Sequence, residues 1–353
     1  MYFLGLGTAT PPKRYTQVEC WEVLQKSRQF AELAPRSRAI LKKVFTGKNG
    51  VATRYLALDP LEEAFQISPD TLHSRFSRHA PALAAEAAKR ALAEAKLSPE
   101  QIDAVIISTC TGYMCPGLTS YVSEALGLRP DALGLDLVGQ GCGAALPNLR
   151  LAESLLRSER CRHVLSICVE VCSAAFYLDN DPGVLISLCL FGDGAGAAVL
   201  SLQPNAQRRV KWTAGGSLLF PQDREMLRFE TKGGLLRNIL APGVPEIAGR
   251  HAKTVFEKVI SEANIDRSEI TGWIMHAGGR EVLSALQQSL GLNPDDLRWS
   301  ADILEEHGNL SSPCVLFTLQ RALRENAPGG RWWLCSFGAG FSCGGAILEV
   351  ANV

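Results

Sequence analysis

Gly139-Gln140-Gly141-Cys142-Gly143-Ala144-Ala145-Leu146-Pro147 sets a cysteine among glycines. The apolar stretch 133–138 before it reads as a strand, and Leu149, Ala152, Leu155 and Leu156 after it share one helical face. Pro147 fits only the first turn of that helix, where its missing N–H has no intrahelical partner. Cys142 therefore stands at or just before a helix N-terminus, where the helix dipole and free N–H groups favour a thiolate. The glycines leave room for a carbonyl to approach the sulfur, and nearby N–H groups can bind an oxyanion. A small buried cysteine in a strand-to-helix turn is the other reading of the same residues.

Six histidines are available to serve that cysteine. His73 and His79 share a polar helical stretch with Arg75 and Arg78, while His163 and His251 sit beside Arg162 and Arg250; all four read as solvated. His276 differs, because it ends the apolar strand Trp273-Ile274-Met275 and opens into Ala277-Gly278-Gly279. That position suits a site built from loops at sheet edges, with a satisfied core histidine as the alternative. Glu306-His307-Gly308-Asn309-Leu310-Ser311-Ser312-Pro313 then leads into a helix over 315–323. Asn309 there is either an amide donor for the site or a helix cap. Cys142, His276 and Asn309 together suit acyl transfer: thiolate attack on a thioester, then a step through a stabilised enolate. His and Asn can both donate to a thioester oxygen when malonyl loses carbon dioxide. A papain-like hydrolase uses the same three residue types, but without the duplicated layout described next.

The elements that must position these residues repeat along the chain. Ala95-Lys96-Leu97-Ser98-Pro99-Glu100-Gln101-Ile102 aligns without a gap with Ala263-Asn264-Ile265-Asp266-Arg267-Ser268-Glu269-Ile270, and each leads into an apolar strand. Glu124-Ala125-Leu126-Gly127-Leu128 matches Gln288-Ser289-Leu290-Gly291-Leu292. Phe191-Gly192-Asp193-Gly194 matches Phe337-Gly338-Ala339-Gly340 before a closing strand. In this alignment Gly308-Asn309 falls opposite Gly141-Cys142. The expected architecture is two related α/β halves, 1–203 carrying the cysteine and 204–353 carrying His276 and Asn309, with 204–209 as a polar connector. Apolar strands alternate with helical patterns at 82–95 and 282–290, which calls for mixed sheets covered by helices. A pocket between the halves can draw groups from each.

Composition narrows the class. At 353 residues the chain exceeds one ordinary core, and 46% hydrophobic with 20% charged residues suits a soluble globular enzyme. Thirty-six basic residues balance thirty-six acidic ones, which argues against a general nucleic-acid or anionic-membrane binder. Eleven cysteines contain no C-x-x-C pair, so a structural metal or a disulfide scaffold is not expected; a reducing compartment and mostly packing roles are. Residues 1–7 lack a basic leader and read as a first strand rather than a signal peptide. Residues 183–202 are long and apolar enough to span a bilayer, but Phe191-Gly192-Asp193-Gly194-Ala195-Gly196 breaks them into two short buried elements.

Six motifs in order carry a family resemblance over nearly the whole chain: Gly7-Thr8-Ala9-Thr10-Pro11 with Gln17, Gly112 with Pro116-Gly117, Gly141-Cys142, Leu190-Phe191-Gly192-Asp193-Gly194, His276 with Gly278-Gly279, and Gly308-Asn309-Leu310-Ser311-Ser312. The sequence resembles the type III polyketide synthases, the chalcone and stilbene synthase family. The resemblance implies a thiolase-like, five-layered αβαβα fold of two duplicated halves and the catalytic triad Cys142, His276 and Asn309. It implies Phe191 as gatekeeper between a CoA tunnel and the cavity, and CoA-binding cations near Lys42, Lys43, Lys48 and Arg54, of which Lys48 and Arg54 keep register. Further substrate contacts are implied at Gly278, Ser311 and Gly338. It also implies a cytoplasmic homodimer that takes acyl-CoA and malonyl-CoA directly, without carrier protein, metal or other cofactor.

Departures from the plant pattern bear on the substrate. Cys110, Cys172 and Ala175 replace cavity residues that are often Thr or Ser, and Cys115 stands where plant members place a Met that reaches across the dimer. No aromatic occurs in Gly234-Leu235-Leu236-Arg237-Asn238-Ile239, where a second gate is expected, and the late loop reads Ser336-Phe337-Gly338-Ala339-Gly340. These changes imply an apolar pocket, a fatty acyl-CoA starter and an alkylpyrone or alkylresorcinol product, as in bacterial members. The alternatives are a chalcone- or stilbene-like synthase with an aromatic starter, a ketoacyl synthase of fatty-acid initiation, and a catalytically dead scaffold.

Overall fold

The computed structural model describes residues 1–205 and 210–351. Most of the polar connector expected at 204–209 therefore lies outside the described residues. The strands of the main sheet are β1 (Tyr2–Ala9), β2 (Ala104–Ser108), β3 (Leu133–Leu137), β4 (Val164–Glu170), β5 (Gly194–Ser201), β6 (Val210–Leu219), β7 (Ile270–Met275), β8 (Gly330–Gly338) and β9 (Ser342–Val350). The principal helices are α1 (Pro69–Ala95), α2 (Leu118–Leu126), α3 (Ala145–Arg157), α4 (Pro182–Leu190), α5 (Val244–Glu262), α6 (Arg280–Leu290), α7 (Arg298–His307) and α8 (Cys314–Arg324).

The sheet runs β7-β8-β9-β6-β1-β5-β4-β2-β3. Its centre is a short antiparallel contact, Tyr2 opposite Lys211 and Phe3 opposite Val210. Outward from that join the two sides repeat one another. β1 and β5 pair antiparallel, as do β5 and β4, and β4 and β2 pair parallel. β6, β9, β8 and β7 follow the same succession. The repeated sequence segments fold alike. Ser98 and Asp266 each head a capping box before a short 3-10 turn, and Gly127 and Gly291 both end their helices in the left-handed region at φ 69° and 59°. The halves differ in that α7 takes the place of β3 in chain order in the second half, and no helix matching α4 separates β8 from β9.

Three hydrophobic clusters define the layers. One packs the alanine-rich face of α1 on β2, β4 and β5; another packs α5 and α6 on β7, β8 and β9. Between them α3 and α8 share a cluster with Trp212, Trp332 and strand residues of both sides. Three helical layers thus enclose two sheet faces, and the central pair of helices starts at the site. Close approach of α1 to β1 needs glycine, because a Cβ at Gly7 would lie 2.1 Å from the Ala87 carbonyl oxygen. The 183–202 stretch divides as expected into α4 and β5, broken at Phe191-Gly192-Asp193. Among the described residues no helix is long and apolar enough to cross a membrane.

One reading of a surface residue needs correction. His251 is buried: its Nε2 lies 2.7 Å from an Asp223 carboxylate oxygen and its ring stacks on Phe220. Arg75 is buried too, donating to the backbone carbonyls of Ser173 and Glu63. Both lie on helices whose apolar periodicity was masked by neighbouring arginines.

Candidate active site

Cys142 lies in a 3-10 turn, Gly141–Gly143, between β3 and α3. Gly139 and Gly141 take φ values of 80° and 56°, and a Cβ at Gly141 would come within 2.9 Å of the Ala339 backbone nitrogen. Glycine is therefore required for the turn to close against the loop after β8. Pro147 occupies the first turn of α3, and Leu149, Ala152 and Leu156 face the core.

A chain of contacts brings the two halves together at the sulfur. Ser311 Oγ donates to Cys142 Sγ at 3.2 Å, and the Ser311 N–H donates to Asn309 Oδ1 at 2.8 Å. Asn309 Nδ2 donates to the Gly278 carbonyl at 3.1 Å, two residues beyond His276. Asn309 is not a helix cap, since α8 begins only at Cys314. Instead it pairs with the segment carrying Phe191: its N–H donates to Leu190 O at 2.8 Å and its carbonyl accepts from Gly192 N at 3.0 Å. His276 is 2% exposed at the end of β7, its ring set edge-on against Phe337, and its Nδ1 has no hydrogen-bond partner.

Burial is the largest influence on the resting charges of both groups. Loss of water pushes the Cys142 thiol up to about 12; the Ser311 hydrogen bond pulls it down and the nearby Glu170 carboxylate pushes it further up. Burial holds His276 down at about 4. The resting pair is a neutral thiol and a neutral imidazole, which differs from the thiolate that the turn's position suggests. The imidazole is thereby free to take a proton as the reaction proceeds.

Glu170 was missed in the sequence. It ends β4, whose seven residues are all buried, and it accepts from Ser312 Oγ at 2.6 Å, Thr111 Oγ1 at 2.9 Å and the Cys110 N–H at 3.0 Å. Desolvation raises its pKa against these donors. An acidic residue closing an otherwise uncharged, mostly apolar strand is the signal that could have marked it. Asp193 plays a framing part, its carboxylate accepting from the N–H groups of Ala57 and Ser173 and from Ser173 Oγ.

A cavity opens in front of the sulfur. Cys110, Cys172, Ala175, Phe191 and Ser311 line it as expected, joined by Phe229 from the hairpin Leu227–Lys232/Leu235–Leu240. The stretch 234–239 lacks an aromatic, but its partner strand supplies Phe229 opposite Asn238, a cross-strand placement that linear reading does not reveal. Arg237 fixes this hairpin through ion pairs to Asp179, Asp181 and Glu230.

Other expected contacts fall elsewhere. Cys115 is exposed and outside the cavity lining of its own chain, on the loop before α2. Gly338 backs onto the nucleophile turn rather than the cavity: a Cβ there would lie 2.4 Å from Gly143 N and 3.0 Å from Cys142 N. Gly278 contributes the carbonyl that holds Asn309. Arg54 is no solvent-facing cation. It is 2% exposed, and its Nη1 donates to the carbonyls of Leu188 and Phe191, bracing the segment that carries Phe191. Lys48 is exposed, as are Lys42 and Lys43. Two residues on, Gly50 lies against Arg280 at the start of α6, so the Lys48 turn borders the loop that follows His276.

Comparison with known proteins agrees with this arrangement. Residues 7–216 match the FAE1/type III polyketide synthase-like family, and residues 218–350 match the chalcone and stilbene synthase C-terminal domain. A 3,5-dihydroxyphenylacetyl-CoA synthase of Streptomyces toyocaensis is 27% identical over 98% of this chain and 89% of its own. An alpha-pyrone synthesis polyketide synthase-like protein of Mycobacterium tuberculosis is 26% identical over 91% of this chain and 83% of its own. Among solved structures, the 1,3,6,8-tetrahydroxynaphthalene synthase of Streptomyces coelicolor A3(2), a bacterial type III polyketide synthase, superposes with a TM-score of 0.90 at 25% identity over 100% of both chains. The fold is the thiolase-like α/β fold that the motifs implied. With Cys142, Phe191 and Ser311 lining one cavity, and Asn309 tied to Ser311 and to the loop after the buried His276, the chain belongs to the FAE1/type III polyketide synthase-like family, acyltransferases that join acyl-CoA and malonyl-CoA units by decarboxylative condensation.

Proposed function

We propose that this enzyme loads a fatty acyl-CoA on Cys142, extends it with malonyl-CoA and releases an alkylpyrone or alkylresorcinol. In loading, His276 takes the thiol proton as the sulfur attacks the thioester carbonyl. The new carbon–sulfur bond forms, the bond to CoA breaks, and the proton passes to the leaving thiolate. Malonyl-CoA then loses carbon dioxide, and the negative charge on its thioester oxygen is met by the side chains of Asn309 and His276. The enolate carbon attacks the acyl group on Cys142 and frees the sulfur for the next transfer.

The observation that carries the starter assignment is the cavity lining. Cys110, Cys172, Ala175, Phe176, Val184 and Leu188 give much of the wall an apolar character, beside the polar side chains of Thr111, Tyr177, Ser187, Arg228, Asn238 and Ser311, and that apolar share supports an alkyl chain over a phenol. Phe191 stands where it can gate entry, held through the backbone of Leu190 and Gly192 by Asn309. The exposed Lys48 supplies a cation for CoA phosphate beside the loop after His276. A homodimer, with Cys115 of each copy facing its partner, completes the reading.

The test is product identification from malonyl-CoA with a graded set of acyl-CoA starters and p-coumaroyl-CoA. Conversion of p-coumaroyl-CoA but of no medium or long acyl-CoA refutes the fatty starter. In the same assay Cys142→Ala abolishes the acyl adduct seen by intact-mass analysis. Asn309→Ala slows malonyl decarboxylation more than loading, and equal loss of both refutes the role given to Asn309.

A further inference from the structure

Asp223 and His251 form an acid–imidazole pair that the condensation steps leave without a part. Asp223 ends the 3-10 turn Pro221–Asp223 after β6, and the buried His251 lies in α5 with its Nε2 2.7 Å from Asp223 Oδ2. Neither residue lines the cavity at Cys142. A column of rings nevertheless leads from the pair to the histidine of the site. His251 stacks on Phe220, with centroids 3.5 Å apart, and on its other side meets Phe341 at 5.4 Å. Phe341 stacks on Phe337 at 6.1 Å, and Phe337 stands edge-on to His276 at 5.1 Å, all within the range of paired rings. The backbone follows the same path. Phe220 N–H donates to the Phe341 carbonyl at 2.8 Å and accepts in return at 3.2 Å through its own carbonyl. Between Phe337 and Phe341 runs the loop whose Ala339 closes against Gly141 of the nucleophile turn.

His276 needs such a support. A histidine that exchanges protons is ordinarily oriented by a hydrogen bond to its second ring nitrogen. Among the described residues, the buried Nδ1 of His276 has no such partner. Its ring direction is therefore set by packing, and the ring packed against it is Phe337. We propose that Asp223 and His251 are positioning residues for His276, holding it through Phe341 and Phe337. Stacked rings can slide over one another, whereas a hydrogen bond is directional; the bond to Asp223 pins the outer end of the column. Phe337 and Phe341 are buried in a close-packed interior, which transmits a shift at one end to the other. The proposal rests on the role given to His276 above and adds what fixes its ring.

Two measurements on the full chain test this. The first is decarboxylation of malonyl-CoA, read as acetyl-CoA formed. Asp223→Ala lowers kcat by about tenfold, less than the roughly 100-fold cost of a full 1 Å misplacement, and leaves KM within about twofold because the pair lies outside the cavity. Asp223→Asn keeps an acceptor oxygen for His251 and restores most of the rate. The second is magnetic resonance of protein carrying isotope-labelled histidine, in which the His276 ring signals are those missing from His276→Gln. Asp223→Ala shifts them and Asp223→Asn returns them, which a loss of stability alone does not do. A folded Asp223→Ala with unchanged kcat and unchanged His276 signals overturns the proposal, as does a loss of kcat that Asp223→Asn fails to relieve. If Asp223→Ala does not fold, Phe220→Leu carries the test: it keeps the backbone pair with Phe341 but removes the face on which His251 stacks, and unmoved His276 signals overturn the proposal. Parental decarboxylation by His276→Gln refutes instead the role of His276 itself, and the proposal with it.

Discussion

Gly338→Ala is the sharpest probe of how the halves cooperate, because it adds one methyl group behind the nucleophile without touching the cavity. Gly338 ends β8 with an ordinary backbone conformation, so alanine brings no torsional penalty of its own. The new Cβ would stand 2.4 Å from Gly143 N, 2.5 Å from Gln140 O and 3.0 Å from Cys142 N, where ordinary contact begins near 3.4 Å. Something must retreat by about 1 Å, the gap between those contacts and normal packing. β8 is paired on both sides, with β7 and β9, and lies in the core, so the glycine-rich turn is what yields. Overpacking of this kind costs about 1–3 kcal/mol, a fall of a few degrees in Tm. Displacing a reacting atom by about 1 Å costs about 100-fold in rate. The assay is single-turnover transfer from acyl-CoA to Cys142, followed by intact mass, alongside calorimetric melting. Gly127→Ala is the control: its φ is 69° with no atom within 4 Å of a new Cβ, so it bears left-handed strain of about 1–2 kcal/mol without moving the site. Loading by Gly338→Ala within twofold (about 0.4 kcal/mol) of the parent, with Tm lowered, would refute the idea that this strand end positions the sulfur.

Two further predictions concern charge. Ser311→Ala removes the hydrogen bond that lowers the Cys142 thiol, so iodoacetamide alkylation of Cys142, read at the peptide level to exclude the exposed Cys115, slows by about two- to tenfold, the worth of one hydrogen bond. Faster alkylation contradicts the assignment. His276 and His307 are both held down at about 4 by burial, while unfolded histidine titrates near the usual value of about 6.5. Protonation therefore favours the unfolded chain: their contribution is complete above about pH 6.5 and is lost as pH falls towards about 4, at up to about 1.4 kcal/mol per pH unit for each. His307→Gln should reduce the slope of urea stability between pH 6.5 and pH 4.5, and an unchanged slope refutes the burial argument.

Local rules made much of the molecule legible in advance. The Cys142 turn, the strand end at His276 and the break at Phe191-Gly192-Asp193 are all set by glycine, proline and apolar spacing within a few residues. The internal repeat foretold two similar sets of strands because each capped turn carries its own sequence signature, as Ser98 and Asp266 show. Position also misled. Arg54 kept register with a CoA-binding cation, yet the chain path buries it under α4, where backbone carbonyls meet its charge. Cys115 sat beside cavity residues in sequence and came out on the surface.

Residue types, the turns that present them and the succession of strands and helices follow from local backbone preferences and hydrophobic period, and so are readable along the chain. The environment of each group is not. That the thiol rests neutral, that Glu170 gathers hydroxyls behind it and that Phe229 crosses a hairpin to wall the cavity depend on contacts between distant segments. Burial and charge–charge distance are three-dimensional quantities. They set pKa and cavity shape, and no spacing along the chain encodes them one residue at a time.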